Sequence, residues 1–303
     1  PPPPPFFFSI RLRHTRFALV SWARRCVSET VMYIIAEIGI NHNGSMDHAK
    51  KLIDQAYESK CHAVKFQKRD PDVCVPENQK SVIRETPWGT MTYLEYKWKF
   101  EFNAEQYEEL RAYTKNLGMD FIVSCWDVES VKLIQENVDV DYHKVASALV
   151  TDKEFLKSLV DTGKPIILST GMSSQYEIDQ AIDILYPNLK YILACTSTYP
   201  SNIDELNLNY IVRLQNDYPQ FKIGFSNHYS GFDASLGAVA LGAECIEFHI
   251  TDDRASYGTD QSASIENSFK LVEGINIMNR MLGDGIKKVY DSELPIKKKL
   301  RKV

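Results

Sequence analysis

From residue 32 onward the chain alternates between two kinds of segment. Short runs rich in isoleucine, valine and phenylalanine stand at 33–39 (YIIAEIG), 63–67 (AVKFQ), 120–126 (DFIVSCW), 142–147 (YHKVAS), 165–170 (PIILST), 191–196 (YILACT), 222–227 (KIGFSN) and 245–250 (CIEFHI). Apolar runs of this length suit strands buried on both faces. Each leads into a stretch with helical spacing of its apolar residues, at 46–59, 104–117, 128–137, 153–161, 175–185, 203–217, 232–241 and 264–282. Gly118, Gly163 and Gly242 fall where a helix should close before the next strand begins. Eight uninterrupted β-then-α units predict an α/β fold of one domain, a closed (β/α)8 TIM barrel over residues 32–290. The one long insertion, 69–102, lies between the second strand and its helix and is rich in Pro, Trp and Tyr. Such a segment is either a lid or substrate wall at the barrel rim, or a surface flap packed by its own aromatic rings.

The two ends differ from this body. Residues 1–31 carry five arginines and one glutamate, a local charge of +4, which leaves −9 on the rest of a chain whose net charge is −5. They are read as an upstream extension or an Arg-rich organelle transit segment with little packed structure. Residues 291–303 form a basic tail, with five basic side chains among the last seven residues, and such runs are usually solvated. An acidic body argues against nucleic acid as the main partner. No apolar stretch is long enough to cross a bilayer, so a membrane role is not expected. The six cysteines show no CxxC or zinc spacing, and Cys125, Cys195 and Cys245 fall inside strand runs. They are read as small buried hydrophobes of a reducing, cytoplasmic compartment.

In a parallel barrel the chemistry gathers at the C-terminal ends of the strands. The polar residues there are Glu37, Lys65, Gln67, Ser124, Lys144, Ser147, Ser169, Ser197, Tyr199, Ser226, His228 and His249, with Asp260 in the loop after the eighth strand. His228 and His249 end two consecutive strand runs separated by one helix-length segment, which puts both imidazoles on one rim. Two imidazoles with open positions left over suit a divalent metal acting as Lewis acid; otherwise each is a hydrogen-bonded rim histidine. Lys65 and Lys144 sit inside apolar strands, where an ammonium is costly unless an anion compensates it. With Ser147, Ser169 and Ser226 they would cradle a phosphate dianion; otherwise they form a structural ion pair with Glu37. Asp260 would bind sugar hydroxyls or form a turn. His42, His48, His62 and His143 are read as structural, with His42 the nearest to a functional setting.

Taken together, AEIGINHNG (36–44), VKFQ (64–67), KVAS (144–147), STGM (169–172), CTSTYP (195–200), GFSNHYSG (224–231), IEFHIT (246–251) and YGTDQSAS (257–264) resemble the N-acetylneuraminate (sialic acid) synthase family. The motifs occur in order and cover nearly the whole barrel. The resemblance implies condensation of phosphoenolpyruvate with an open-chain aldose such as N-acetylmannosamine, giving a nonulosonic acid and phosphate. It implies Mn2+ or Mg2+ on His228 and His249. It places Lys65, Ser124, Lys144, Ser147, Ser169 and Ser226 on phosphoenolpyruvate, and Glu37, Gln67, Tyr199 and Asp260 on the sugar side, with Glu37 handling a proton and Ser197 a further substrate contact. A second copy of the chain, in a homodimer, is the one further partner it brings in. Leu149 stands where the family usually has glutamate, and Ser197 where asparagine is common. Typical members continue into an antifreeze-like domain that lends an arginine to the partner's sugar site; this chain stops at Val303, so sugar recognition is expected to differ, to be weaker, or to come from elsewhere, such as the 69–102 segment. Two other functions fit the same residues: a Schiff-base aldolase using Lys144, and a non-catalytic sugar-phosphate binding barrel.

Overall fold

A computed structural model describes residues 32–258 and 260–302; the extension at 1–31 lies outside the described residues. In chain order the strands are β1 (Tyr33–Gly39), β2 (Ala63–Lys68), a hairpin of β3 (Ile83–Thr86) and β4 (Gly89–Thr92), β5 (Asp120–Cys125), β6 (Tyr142–Val145), β7 (Ile166–Ser169), β8 (Leu189–Cys195), β9 (Lys222–Asn227) and β10 (Cys245–His249). Eight of them close a barrel in the order β1-β10-β9-β8-β7-β6-β5-β2, every pairing parallel. The predicted TIM barrel is therefore the observed fold.

Local chemistry explains where the helices begin. Ser45, Asn103, Asp127, Asp152 and Ser174 each accept a backbone N–H of the first turn, so the helices at Met46–Glu58, Ala104–Asn116, Val128–Asn137, Lys153–Asp161 and Gln175–Leu185 start where the side chain satisfies that donor. Two expected helices are shorter than their periodicity. The 203–217 stretch is broken into a 3-10 turn, Ile203–Glu205, and a helix, Asn209–Asp217, because Asn207 adopts φ 45° between them. The last helix starts at Ser268 rather than residue 264. Residues just before it are drawn to the barrel: the Ile265 N–H donates to the His249 carbonyl, and Ser264 Oγ accepts from Asn41 Nδ2.

Strand alternation sorts the barrel into an outer and an inner face. The outer face packs against the helices through residues such as Ile34, Val64, Phe121, Ile166, Ile192 and Ile246. The inner face is stacked in layers. Tyr33, Tyr142 and Tyr191 close the N-terminal end, with the Tyr33 and Tyr191 rings stacked at 5.7 Å. Ile35, Ala63, Ile122, Ile167, Leu193 and Cys245 form the apolar middle. Two residues further along the same strands come Glu37, Lys65, Ser124, Ser169, Cys195 and Glu247, so the polar layer is set by the same period-2 register that fills the core. Residues 32–281 make up this compact unit. The 69–102 insertion holds two single-turn helices, the hairpin and a helix, Tyr93–Trp98. It is packed by its own rings, Trp88, Tyr96 and Phe100, and by Tyr257 from the loop after β10. Residues 282–302 belong to a separate unit, where a short exposed helix, Leu294–Leu300, carries three of the five basic residues expected at the tail. No helix among the described residues is long and apolar enough to cross a membrane.

Candidate active site

A cavity of ≈ 220 Å³ opens at the C-terminal mouth of the barrel. Glu37, Lys65, Gln67, Ser124, Lys144, Ser147, Ser169, Ser197, Tyr199, Ser226, His228 and His249, twelve of the thirteen expected site residues, line it. The thirteenth, Asp260, stands beside it, its Oδ2 3.7 Å from His249 Nδ1. Strand register accounts for this convergence: Glu37 is level with Lys65 on β2 and with His249 on β10, and Glu247 is level with Ser226 on β9.

The two lysines are compensated from within the protein. Lys65 Nζ lies 2.8 Å from Glu37 Oε2 and 3.7 Å from Glu247 Oε1, and Lys144 Nζ lies 3.6 Å from the same Glu247 oxygen. Lys144 also donates to Ser169 Oγ at 2.6 Å, and Ser226 Oγ donates to Glu247 Oε1 at 2.9 Å. All four charged side chains are buried. Burial alone would raise the Glu247 carboxyl, but Lys144 and Lys65 hold it down at about 2. Burial would lower Lys65, yet Glu247 and Glu37 keep it above the usual lysine value. Lys144 gains less from its neighbours, and burial leaves it below that value. Of the two alternatives read from the sequence, the ion pair with Glu37 is present, and Glu247 joins it; both lysines also line the cavity.

Glu247 is the functional candidate missed in the sequence. Its parity with His249 in CIEFHI was the available signal, since residues two apart on a strand share a face. It also supplies a second buried carboxylate beside Glu37, whereas Leu149 packs against the apolar core. Cys195 corrects a second expectation. It is not an inert core residue but lines the cavity, 3.8 Å from His228 Nδ1. Burial would raise its thiol, but His228 brings it down to about 7.

The imidazoles face each other with ring centroids 5.3 Å apart. The Thr196 carbonyl, 2.8 Å from His228 Nδ1, can only accept, so the proton sits on Nδ1 and the lone pair on Nε2, where the Tyr199 hydroxyl lies at 3.0 Å. Burial opposes protonation of His228, but Cys195 and the Thr196 carbonyl raise it. Burial lowers His249, and its buried Nδ1 has no hydrogen-bond partner. His228 Nε2, whose lone pair now accepts from the Tyr199 hydroxyl, and a buried His249 ring nitrogen without a hydrogen bond are the imidazole donors that a cation between the rings would use. Among the described residues no three His, Cys, Asp or Glu side chains converge to hold a metal ion, so the protein would supply two ligands and leave the remaining positions to water and substrate.

The other four described histidines lie outside the cavity lining and make contacts elsewhere. His42 stacks on Phe102 at 4.3 Å and accepts from the Gly44 N–H; burial pushes it down to about 3. His48 meets Asp252, His62 accepts from the Ile34 N–H, and His143 is buried against the helices.

A closed parallel barrel with buried lysines, carboxylates and imidazoles gathered at the C-terminal mouth defines a protein of the α/β-barrel enzyme class. Comparison with known proteins makes this specific. The NeuB family model matches residues 52–287. The N-acetylneuraminate-9-phosphate synthase of Mus musculus is 36% identical over 279 residues, spanning 89% of this chain and 76% of that protein. The N,N'-diacetyllegionaminic acid synthase of Campylobacter jejuni is 35% identical over 269 residues, or 86% of this chain and 80% of that protein. The crystal structure of N-acetylneuraminic acid (sialic acid) synthetase from Leptospira borgpetersenii superposes with a TM-score of 0.77 at 31% identity, covering 90% of this chain and 93% of that one. The chain belongs to the NeuB family and is a sialic acid synthase-like, C–C bond-forming transferase.

Proposed function

We propose that this chain condenses phosphoenolpyruvate with an N-acetylmannosamine-type aldose, giving a nonulosonic acid and inorganic phosphate with the help of Mn2+ or Mg2+ in the cytoplasm. The observation that carries the proposal is the shared mouth: Lys65 and Lys144 face the same small cavity as His228 and His249. Charge balance supports it further. Two ammoniums and two carboxylates leave the buried cluster neutral in sum. A phosphoenolpyruvate anion brings more negative charge than this cluster offsets, and a divalent cation on the imidazoles would make up much of the difference.

Bound there, the cation would polarise the aldehyde oxygen of the sugar. The chain's own residues do the rest. Lys65, Lys144 and Ser169 hold the phosphate and carboxylate of phosphoenolpyruvate, with Ser124, Ser147 and Ser226 lining the same wall. Gln67, Ser197, Tyr199 and Asp260 orient the open-chain sugar. The C3 carbon of the enol forms a bond to the aldehyde carbon, and the aldehyde oxygen takes up the proton that Glu37 removes from the attacking water. Water adds at C2 of the former enol and loses a proton to Glu37. The resulting tetrahedral centre breaks its C–O bond to phosphate, its hydroxyl proton passes to the departing phosphate, and the centre becomes the keto acid.

The test is phosphate release from phosphoenolpyruvate against a panel of aldoses, with and without Mn2+. Release that requires both an N-acetylhexosamine and the metal, and that His249→Ala abolishes, is expected; undiminished turnover in that variant removes the metal from the account. One observation favours a second reading, since a lysine pushed down by burial, as Lys144 is, suits Schiff-base chemistry. Activity in strong chelator together with borohydride trapping at Lys144 would establish that reading instead.

A further inference from the structure

On β2 three side chains follow one another at the same parity: Lys65, Gln67 and, one step past the strand, Arg69. Lys65 meets Glu37 Oε2, and Gln67 Nε2 donates to Glu37 Oε1 at 2.8 Å. Gln67 Oε1 accepts from Arg69 Nη2. The amide of Gln67 therefore lies between a carboxylate, which only accepts, and a guanidinium, which only donates. That arrangement fixes which way the amide points: oxygen toward Arg69, NH2 toward Glu37. Arg69 is itself held. Its guanidinium carbon lies over the Trp126 ring, 4.4 Å from the centroid, its Nε is 3.6 Å from Glu101 Oε1, and its side chain is 11% exposed. Trp126 lines the cavity, so Arg69 stands directly behind the cavity wall.

We propose that Arg69 is a positioning residue of this active site: it locks the Gln67 amide so that its NH2 is presented to Glu37 at the sugar end of the cavity. Arg69 touches neither substrate; it acts through Gln67. Without it, the amide can turn its oxygen toward Glu37, which sets two acceptors against each other and removes the donor. The inference rests on the proposed sugar side of the site for its catalytic consequence, but not for its structural one, and the two are tested separately.

The structural arm uses uniformly 15N-labelled protein without substrate. The side-chain NH2 cross-peaks of Gln67, assigned by their loss in Gln67→Leu, are expected to move or broaden in Arg69→Met. Unchanged cross-peaks overturn the proposal. Should Arg69→Met fail to fold, Arg69→Leu, which likewise has no donor, carries the same test with the same two outcomes. The kinetic arm is a double-mutant cycle on phosphate release. Arg69→Met is expected to lower kcat/KM for the aldose about tenfold or more, the loss of a charge-assisted hydrogen bond, while the KM for phosphoenolpyruvate changes less than about twofold. In the Gln67→Leu background the same substitution is expected to cost less than about twofold. Equal losses in both backgrounds would show that Arg69 does not work through Gln67. If the parent releases no phosphate with any aldose, the proposed reaction fails, and the cross-peaks alone decide the role of Arg69.

Discussion

Replacing Glu247 by Gln keeps the shape of the side chain and removes the negative charge that Lys65 and Lys144 share. Their ammoniums lie 3.7 and 3.6 Å from one Glu247 oxygen, and all three side chains are no more than 6% exposed. Afterwards Glu37, paired at 2.8 Å to Lys65, is the remaining carboxylate of the buried cluster, and Lys144 is left with the Ser169 hydroxyl. Breaking a buried charge set in this way costs about 3–5 kcal/mol. For a unit of this size each kcal/mol lowers Tm by about 2–4 °C, so the variant should melt roughly 6–20 °C below the parent. The loss should depend on pH in a defined sense. Lys144 already sits below the usual lysine value in the folded protein, and losing Glu247 lowers it further. A depressed lysine binds fewer protons folded than unfolded, so the deficit shrinks as pH rises toward the unfolded lysine value. Inorganic phosphate should rescue the variant more than it stabilises the parent, because it replaces the missing negative charge. The assay is thermal melting of both proteins at pH 7 and 9, with and without phosphate. A variant that melts within 2 °C of the parent, with the same response to phosphate, would refute the claim that Glu247 holds the two lysines.

Other substitutions probe separate parts of the structure. His143 is fully buried, neither ring nitrogen has a hydrogen-bond partner, and burial pushes it down to about 4. Stability from keeping it neutral is complete above the unfolded value near 6.5 and is lost as pH falls through 4. In urea titrations His143→Leu should therefore lose roughly 2 kcal/mol less than the parent between pH 7 and 5; parallel losses would contradict this. Gly39 has φ 55°, and a Cβ there would lie 2.9 Å from Glu37 Oε1 and 3.0 Å from Gln67 Nε2. Gly39→Ala should cost about 1–2 kcal/mol of backbone strain and, by displacing Glu37, reduce kcat well beyond its effect on melting, which paired kinetics and thermal scans would show.

Much of this was legible in the sequence because barrel strands carry two messages at once. In YIIAEIG the apolar residues declare a buried strand, and Glu37 at the same parity as Ile35 marks the inner face near its end. The same logic recovers Lys65, Ser124, Lys144, Ser169, Ser226 and His249. Glu247 is harder to read because it stands inside the strand, between Ile246 and Phe248, and not at its end. Cys195 was obscured because a cysteine inside a strand run looks the same whether it faces a helix or a cavity. The break at Asn207 and the late start at Ser268 depend on backbone angle and on bonds to residues more than 200 positions away, such as Ser264 to Asn41, which no local periodicity encodes. The insertion showed its aromatic content but not its folding as a hairpin and helices against Tyr257, nor that its first residue, Arg69, backs the cavity wall.

The central claim is that a metal and the phosphate of phosphoenolpyruvate meet at one mouth of the barrel. Crystals of the protein grown with Mn2+ and phosphoenolpyruvate, measured at the manganese absorption edge, test it directly. The account predicts one anomalous peak between the His228 and His249 rings, with phosphate density against Lys65 and Lys144. A peak elsewhere, or phosphate density remote from both lysines, would contradict it.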